Sequence, residues 1–200
     1  MQLEFWYEFA STYSYLSVMR IERVATDAGV SLEYCPFLLG PIFGKQGWNT
    51  SPFNLYPARG RYMWRDVTRR ASRHGLVFLK PSTFPRNGLL AARVALVGLG
   101  EGWSPAFTRA VFSAEFTEDR DIAEWAVLRE ILESLQQNPD RVLARAQAAE
   151  TKAELRERSE TAEARGIFGA PSFIVGDELF WGDDRLEEAV EYASSVGEAV

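Results

Sequence analysis

The chain has 200 residues, 28 acidic and 22 basic side chains, a formal net charge of −6 and 46% hydrophobic residues. That length suits one domain, or one domain with an insertion, whose core needs no covalent staples, and the composition excludes disordered, collagen-like and mucin-like classes. One cysteine (Cys35) and one histidine (His74) exclude an internal disulfide, a C-x-x-C redox pair, a Cys-rich zinc site and a multi-histidine metal centre.

The N-terminus, Met1-Gln-Leu-Glu-Phe-Trp-Tyr-Glu8, has no basic stretch followed by an apolar one, so no signal peptide is expected. No apolar run reaches the roughly 18 residues of a membrane span. The expectation is a cytoplasmic protein with no membrane partner, and the acidic balance argues against nucleic acid. Residues 3–9 are aromatic and partly alternating, which predicts a strand. A turn at Ala10–Thr12 leads to a helix predicted from Tyr13 to Gly29, with glycine as its natural stop. Ser31–Leu39 predicts a second strand, so the chain opens β-α-β, a parallel pair with a crossover.

Residues 40–60, rich in Gly, Pro, Asn and Ser, read as a long loop. Helices are then predicted over Arg61–His74, Asn87–Gly98 and Ser104 to about Ala114, the last opened by a Ser-Pro pair. Asp121 with Glu124 resembles a capping box before Trp125–Leu135. Asn138–Pro139 opens a charged helical stretch that Gly166 ends. Strand signals return at Ser172–Val175 and Glu178–Trp181 around a Gly176–Asp177 turn. A final helix runs from Arg185 to about Val196, with Asp183 or Asp184 able to cap it. With the central helices excised, this order is the thioredoxin plan. The expected class is α/β, with residues 1–40 and 166–200 as a discontinuous thioredoxin-like domain and 41–165 as a connecting loop and helical insertion. Function is expected at the first strand-to-helix turn.

Three constellations there carry chemistry. Ser11-x-x-Ser14 stands where a thioredoxin-like redox enzyme has C-x-x-C. A hydroxyl cannot exchange disulfides, but it can donate to a thiolate supplied by a ligand and favour its charged form. Lowering a thiol pKa by two units from about 8.5 takes about 2.7 kcal/mol. One charged hydrogen bond of about 1.5–3 kcal/mol with a small helix-end term meets that requirement. The bland alternative makes Ser11 only an N-cap. Ala170-Pro171, just before a strand, is either an ordinary edge-strand proline or a cis bond that turns the Ala170 backbone toward an extended peptide. Asp183 and Asp184 are either helix caps or receivers of a small peptide's ammonium group.

The phrases Ser11-Thr-Tyr-Ser-Tyr-Leu16, Ser51 to Asp66, Gly166-Ile-Phe-Gly-Ala-Pro-Ser-Phe173 and Phe180-Trp-Gly-Asp-Asp-Arg-Leu186 together resemble the 2-hydroxychromene-2-carboxylate isomerase family. Its relatives are the kappa-class glutathione transferases, within the DsbA-like thioredoxin-fold group. The resemblance implies a DsbA-like fold with a helical insertion, glutathione as cofactor, a small aromatic substrate and a homodimer. It places the thiol-activating serine at Ser11 and the glutathione cysteine moiety on the backbone of Ala170, before a cis Pro171. The γ-glutamyl end falls to Asp183 and Asp184, and a loop asparagine to Asn54 in preference to Asn49. Thr12 stands where the family commonly has proline. Two other readings stay open: a kappa-class-like transferase that releases its adduct, and a non-catalytic glutathione- or peptide-binding module.

Beyond these motifs, Arg59, Arg61, Arg65, Arg69, Arg70 and Arg73 form a basic stretch suited to a carboxylate, or to a solvated helix face. Phe43, Trp48 and Phe53 are the candidate pocket aromatics. Cys35 reads as a small buried apolar residue and His74 as a helix C-terminal cation when protonated.

Overall fold

The computed structural model describes residues 2–198. The first strand, β1 (Gln2–Tyr7), sends Leu3, Phe5 and Tyr7 into one core and Trp6 into another, so both of its faces are covered. β2 (Ser31–Pro36) lies parallel to it, with Phe5 opposite Tyr34 and Trp6 opposite Cys35. β3 (Ser172–Val175) pairs antiparallel on the other edge of β1, and β4 (Glu178–Trp181) returns antiparallel to β3, in the order β2-β1-β3-β4. Gly176 makes the hairpin turn at φ 60°, a conformation that glycine adopts without steric cost. Phe5 stacks on Phe173 across the strand pair at 5.6 Å. Both rings are fully buried, each contributing about 1.5–3 kcal/mol by area alone.

Between β1 and β2 the chain forms α1 (Thr12–Val18) and α2 (Ile21–Asp27) instead of the single expected helix. The break falls at Met19–Arg20. Arg20 Nε turns back to donate to the Leu16 carbonyl, and the guanidinium runs to a buried carboxylate, Asp183, far along the chain. The expected loop at 40–60 holds α3 (Leu39–Lys45), α4 (Pro52–Leu55) and the start of α5 (Pro57–Arg73). Ser51 caps α4 by accepting from Phe53 N, with Pro52 in the first turn. Gly60, inside α5, is buried because a Cβ there would fall 2.2 Å from the Phe53 carbonyl oxygen.

The chain continues through α6 (Leu89–Leu99), α7 (Ser104–Phe116), α8 (Trp125–Ser134), α9 (Pro139–Ala146) and α10 (Ala149–Ala164). Asn138 caps α9 through Arg141 N. Asp121 instead closes a turn on Ala123 N, leaving Glu124 at the start of α8, so the expected capping box does not form. After β4, a 3-10 turn over Asp183–Arg185 leads into α11 (Leu186–Glu198), and neither aspartate side chain caps it. The larger core lies between one sheet face and the helical elements that include α5, α6, α7 and α11. A smaller one on the opposite face joins Trp6, Cys35 and Ile174 to α3 and α10.

Candidate active site

Residues at the end of β1 open a cleft of about 1700 Å³. Its walls come from five stretches: residues 8–13, 38–70, 84–89, and the segments around Ala170 and Asp184. Ser11 sits on it as the N-cap of α1, with φ −84° and ψ 115°. Its Oγ accepts from Ser14 N at 3.1 Å and donates to the Ala170 carbonyl at 2.9 Å. The Ala170–Pro171 peptide is cis, as is Phe84–Pro85, whose Pro85 lines the wall. Thus Ser11, Ala170 and Pro171 come together although they lie some 160 positions apart in sequence. Thr12 also lines the cleft, and its hydroxyl donates to Met63 Sδ of α5 at 3.3 Å. Tyr13 OH donates to Asp66 at 3.0 Å, and burial, reinforced by that carboxylate, pushes the phenol's pKa up.

The two aspartates part ways. Asp183 has a side chain with no exposure, and its Oδ1 accepts from Arg20 at 2.8 Å and Ser17 Oγ at 3.0 Å. Its Oδ2 takes Nε of Arg70 at 2.9 Å and a second Arg70 nitrogen at 2.6 Å. This carboxylate is filled from within and is not free to receive an ammonium group, which corrects that expectation. Asp184 lines the same cleft with a side chain 55% exposed, its nearest cation Arg185 at 3.9 Å. Burial works against the Arg70 charge, but the bonds to Asp183 hold its pKa above the ordinary value. His74 closes α5 with a lowered pKa, from burial and then the Arg20 charge, so the C-terminal cation expected there is disfavoured.

Asn54 is also corrected. Its amide is spent on two wall residues, donating to Thr50 Oγ1 at 3.2 Å and to the Phe84 carbonyl at 3.1 Å, while Asn49 lines the cleft directly. Of the arginine stretch, Arg59 and Arg70 reach the cleft. Arg59 lies 4.8 Å from the Tyr56 ring centroid and makes no ion pair among the described residues. Phe43, Trp48 and Phe53 all line the opening, with Phe43 and Trp48 in contact at 5.5 Å. Phe168 and Trp181 meet edge-on at 4.7 Å on the rim, both about half exposed. Sequence reasoning missed that pair, and it missed Glu8. Burial raises the Glu8 carboxyl to about 7 against the pull of the Ala10 amide. Cys35 is buried on the opposite face, its thiol pKa pushed up by burial, and takes no part.

A family model described as a DSBA-like thioredoxin domain matches residues 2–193. The chain belongs to that family. A 2-hydroxychromene-2-carboxylate isomerase from Sphingobium xenophagum is 27% identical over 192 residues, covering 95% of this chain and 96% of that one. A solved 2-hydroxychromene-2-carboxylate isomerase superposes with a TM-score of 0.86 at 24% identity, covering 100% and 96% of the two chains. The cytosolic disulfide reductase DsbM from Pseudomonas aeruginosa, solved with GSH, superposes at 0.69 with 14% identity, covering 100% and 98%. The DsbA-like thioredoxin fold expected from the sequence is the fold observed. Among the described residues no helix is long and apolar enough to cross a membrane.

Proposed function

We propose that the protein is a glutathione-dependent isomerase of 2-hydroxychromene-2-carboxylate type substrates. One observation carries this reading: the Ser11 hydroxyl and the Ala170 backbone meet 2.9 Å apart in an aromatic-walled cleft. The donor set suits a small thiol peptide with charged ends. Ser11 offers a hydroxyl, Asp184 an exposed carboxylate for an ammonium, and Arg59 a guanidinium without a carboxylate partner among the described residues. The name of the Sphingobium relative and the GSH held by a chain of the same fold support the choice.

Glutathione held here would supply a thiolate, the nucleophile that reversible addition to the conjugated carbon and rotation about the former double bond require. The chain's part is to hold and charge that thiol. Ser11 Oγ–H, now given to the Ala170 carbonyl, turns to the sulfur and stabilises its anionic form. The Ala170 backbone holds the cysteinyl segment and Asp184 the ammonium. Arg59 takes a carboxylate of substrate or peptide, and Phe43, Trp48 and Phe53 cover the aromatic ring.

The test is the ultraviolet absorbance of a hydroxychromene carboxylate mixed with the enzyme, with and without glutathione. Isomerisation that requires glutathione and leaves the free thiol count unchanged supports the reading. A falling thiol count makes the enzyme a transferase, and ligand binding without turnover makes it a binding module. Ser11→Ala is expected to lower kcat/KM by about 10–1000-fold, the equivalent of about 1.5–4 kcal/mol for a lost charge-assisted hydrogen bond. Full activity in that variant removes the role given to Ser11.

A further inference from the structure

Glu8 stands three residues before Ser11, and its carbonyl accepts from Ser11 N at 3.0 Å, so the backbone holds the two in fixed relation. Both line the cleft. Glu8 makes no ion pair among the described residues. Glu115 on α7 is fully buried, with neither carboxyl oxygen hydrogen-bonded among the described residues. Glu115 interacts with Glu8, Arg86 and Asp121. Arg86, also on the cleft, is the cation among them, and it is already committed. It donates to the side chain and carbonyl of Asp119 and to the Arg120 carbonyl, and lies 4.0 Å from Asp121.

A carboxyl buried without hydrogen bonds, next to the charge of another and with its cation engaged elsewhere, resists ionisation. Glu115 keeps its proton, held by burial and then by the Glu8 charge. Glu8, which reaches the cleft, is left poised near neutrality, the range in which a carboxyl both gives and takes a proton efficiently. Gly88 shapes the contact: a Cβ there would fall 2.9 Å from Phe9 Cβ and 3.4 Å from Glu8 Oε1. Any side chain at that position would press on the carboxyl and on the turn that carries Ser11.

We infer that Glu8 is the proton donor and acceptor of this cleft, serving the substrate oxygen on which negative charge develops when the conjugated double bond opens. The inference rests on the isomerase reading. As the electron pair of the double bond shifts toward the substrate carbonyl, the Glu8 O–H bond breaks and an O–H bond forms on the substrate oxygen. After rotation the proton returns to Glu8 as the double bond reforms. No proton, electron or atom is gained or lost over the cycle. Glu115 and Arg86 act through Glu8, as positioning residues.

The experiment has two arms. In the first, initial rates of hydroxychromene carboxylate isomerisation are measured from pH 5.5 to 9 at saturating glutathione. The wild type is expected to lose rate as pH rises through about 7, where Glu8 gives up its proton. Glu8→Gln, nearly the same shape but unable to pass a proton, is expected to lower kcat by about 100-fold and to abolish that alkaline fall. Glu8→Asp is expected to restore part of the rate together with a pH-dependent fall. In the second arm, infrared difference spectra of the protein alone are recorded across the same range. A carboxylic-acid carbonyl band that disappears near pH 7 in the wild type and is missing from Glu8→Gln supports the inference without reference to turnover. A Glu8→Gln enzyme with the wild-type rate and pH profile, or an infrared titration identical in the two proteins, overturns it. Failure of the wild type to isomerise at all overturns the isomerase reading, and the donor role with it. Isomerisation indifferent to Glu8→Gln overturns the donor role alone.

Discussion

At Ser11 one oxygen accepts from the Ser14 amide and donates to the Ala170 carbonyl. The first bond fixes where the hydroxyl sits, and the second gives its proton a resting partner that a stronger acceptor can replace. An anionic sulfur is such an acceptor, because charge-assisted hydrogen bonds are roughly twice as strong as neutral ones. Glu8 poses the opposite problem, since burial outweighs the one amide, that of Ala10, that favours its charge. The carboxyl titrates near 7 in the folded chain against an ordinary 4.5, so between those values the folded state binds more protons than the unfolded one. Stability is therefore full below about pH 4.5 and declines as pH rises toward 7, where the folded carboxyl ionises at the cost of its burial. Glu8→Gln removes that cost. The expected outcome is a melting temperature above wild type at pH 8 and equal to it near pH 4.5, read by thermal denaturation at the two pH values. Equal melting temperatures at both would place the Glu8 carboxyl in a solvated environment.

At the scale of elements, Asp183 is the joint. Its carboxylate gathers Ser17 of α1, Arg20 at the α1–α2 break and Arg70 of α5, and so fixes the 3-10 turn against both sides of the cleft. Losing one partner of a buried ion pair costs about 3–5 kcal/mol, because the others stay buried and uncompensated. Asp183→Asn is expected to lower stability by about that amount in a urea titration. Asp184→Ala, at an exposed side chain, is expected to melt like the wild type and to bind glutathione about tenfold more weakly by calorimetry, a difference of about 1.4 kcal/mol. If the stability loss falls on the Asp184 variant instead, the division of labour read from the geometry is reversed. This joint also marks what the sequence could reveal. The β-α-β opening, the Asn138 cap and the Gly176 hairpin are set by neighbouring residues, and local pattern found them. The break at Arg20 is imposed by a carboxylate more than 160 positions away, and no window along the chain contains both. Asn54 was favoured over Asn49 across a segment read as loop, where no helix fixed the register. A signal for α4 was nonetheless present: Ser51-Pro52 repeats the Ser-Pro pairing read as the start of α7. Glu8 looked like one more polar residue at a strand end, because Glu115, which interacts with it, comes from α7, far along the chain.

For the whole molecule, the cleft matters because no single stretch of chain makes it. Both ends of the sequence supply one side, through Ser11, Ala170 and Asp184, and residues 38–70 with 84–89 supply the rest. A ligand seated there touches all of these segments at once, so its binding energy appears as stability shared across them. At 100 times its dissociation constant, a ligand that binds only the folded state adds about 2.7 kcal/mol. Glutathione is expected to raise the melting temperature accordingly, and hydrogen exchange locates where that energy is felt. Amides at Ser11–Thr12, at Phe168–Ala170, at Gly182–Arg185 and along residues 48–53 are expected to slow together when glutathione is added. The backs of α9 and α10, which form no part of the cleft, are expected to exchange as before, apart from any opening that requires global unfolding. Protection confined to the Ser11 and Ala170 segments would mean that the peptide rests on the thioredoxin core alone and that the arginine and aromatic wall is left for the substrate. Protection reaching residues 48–53 would mean that glutathione itself draws that wall in before any substrate arrives, and the exposed Arg59 is the residue through which a peptide carboxylate would do so.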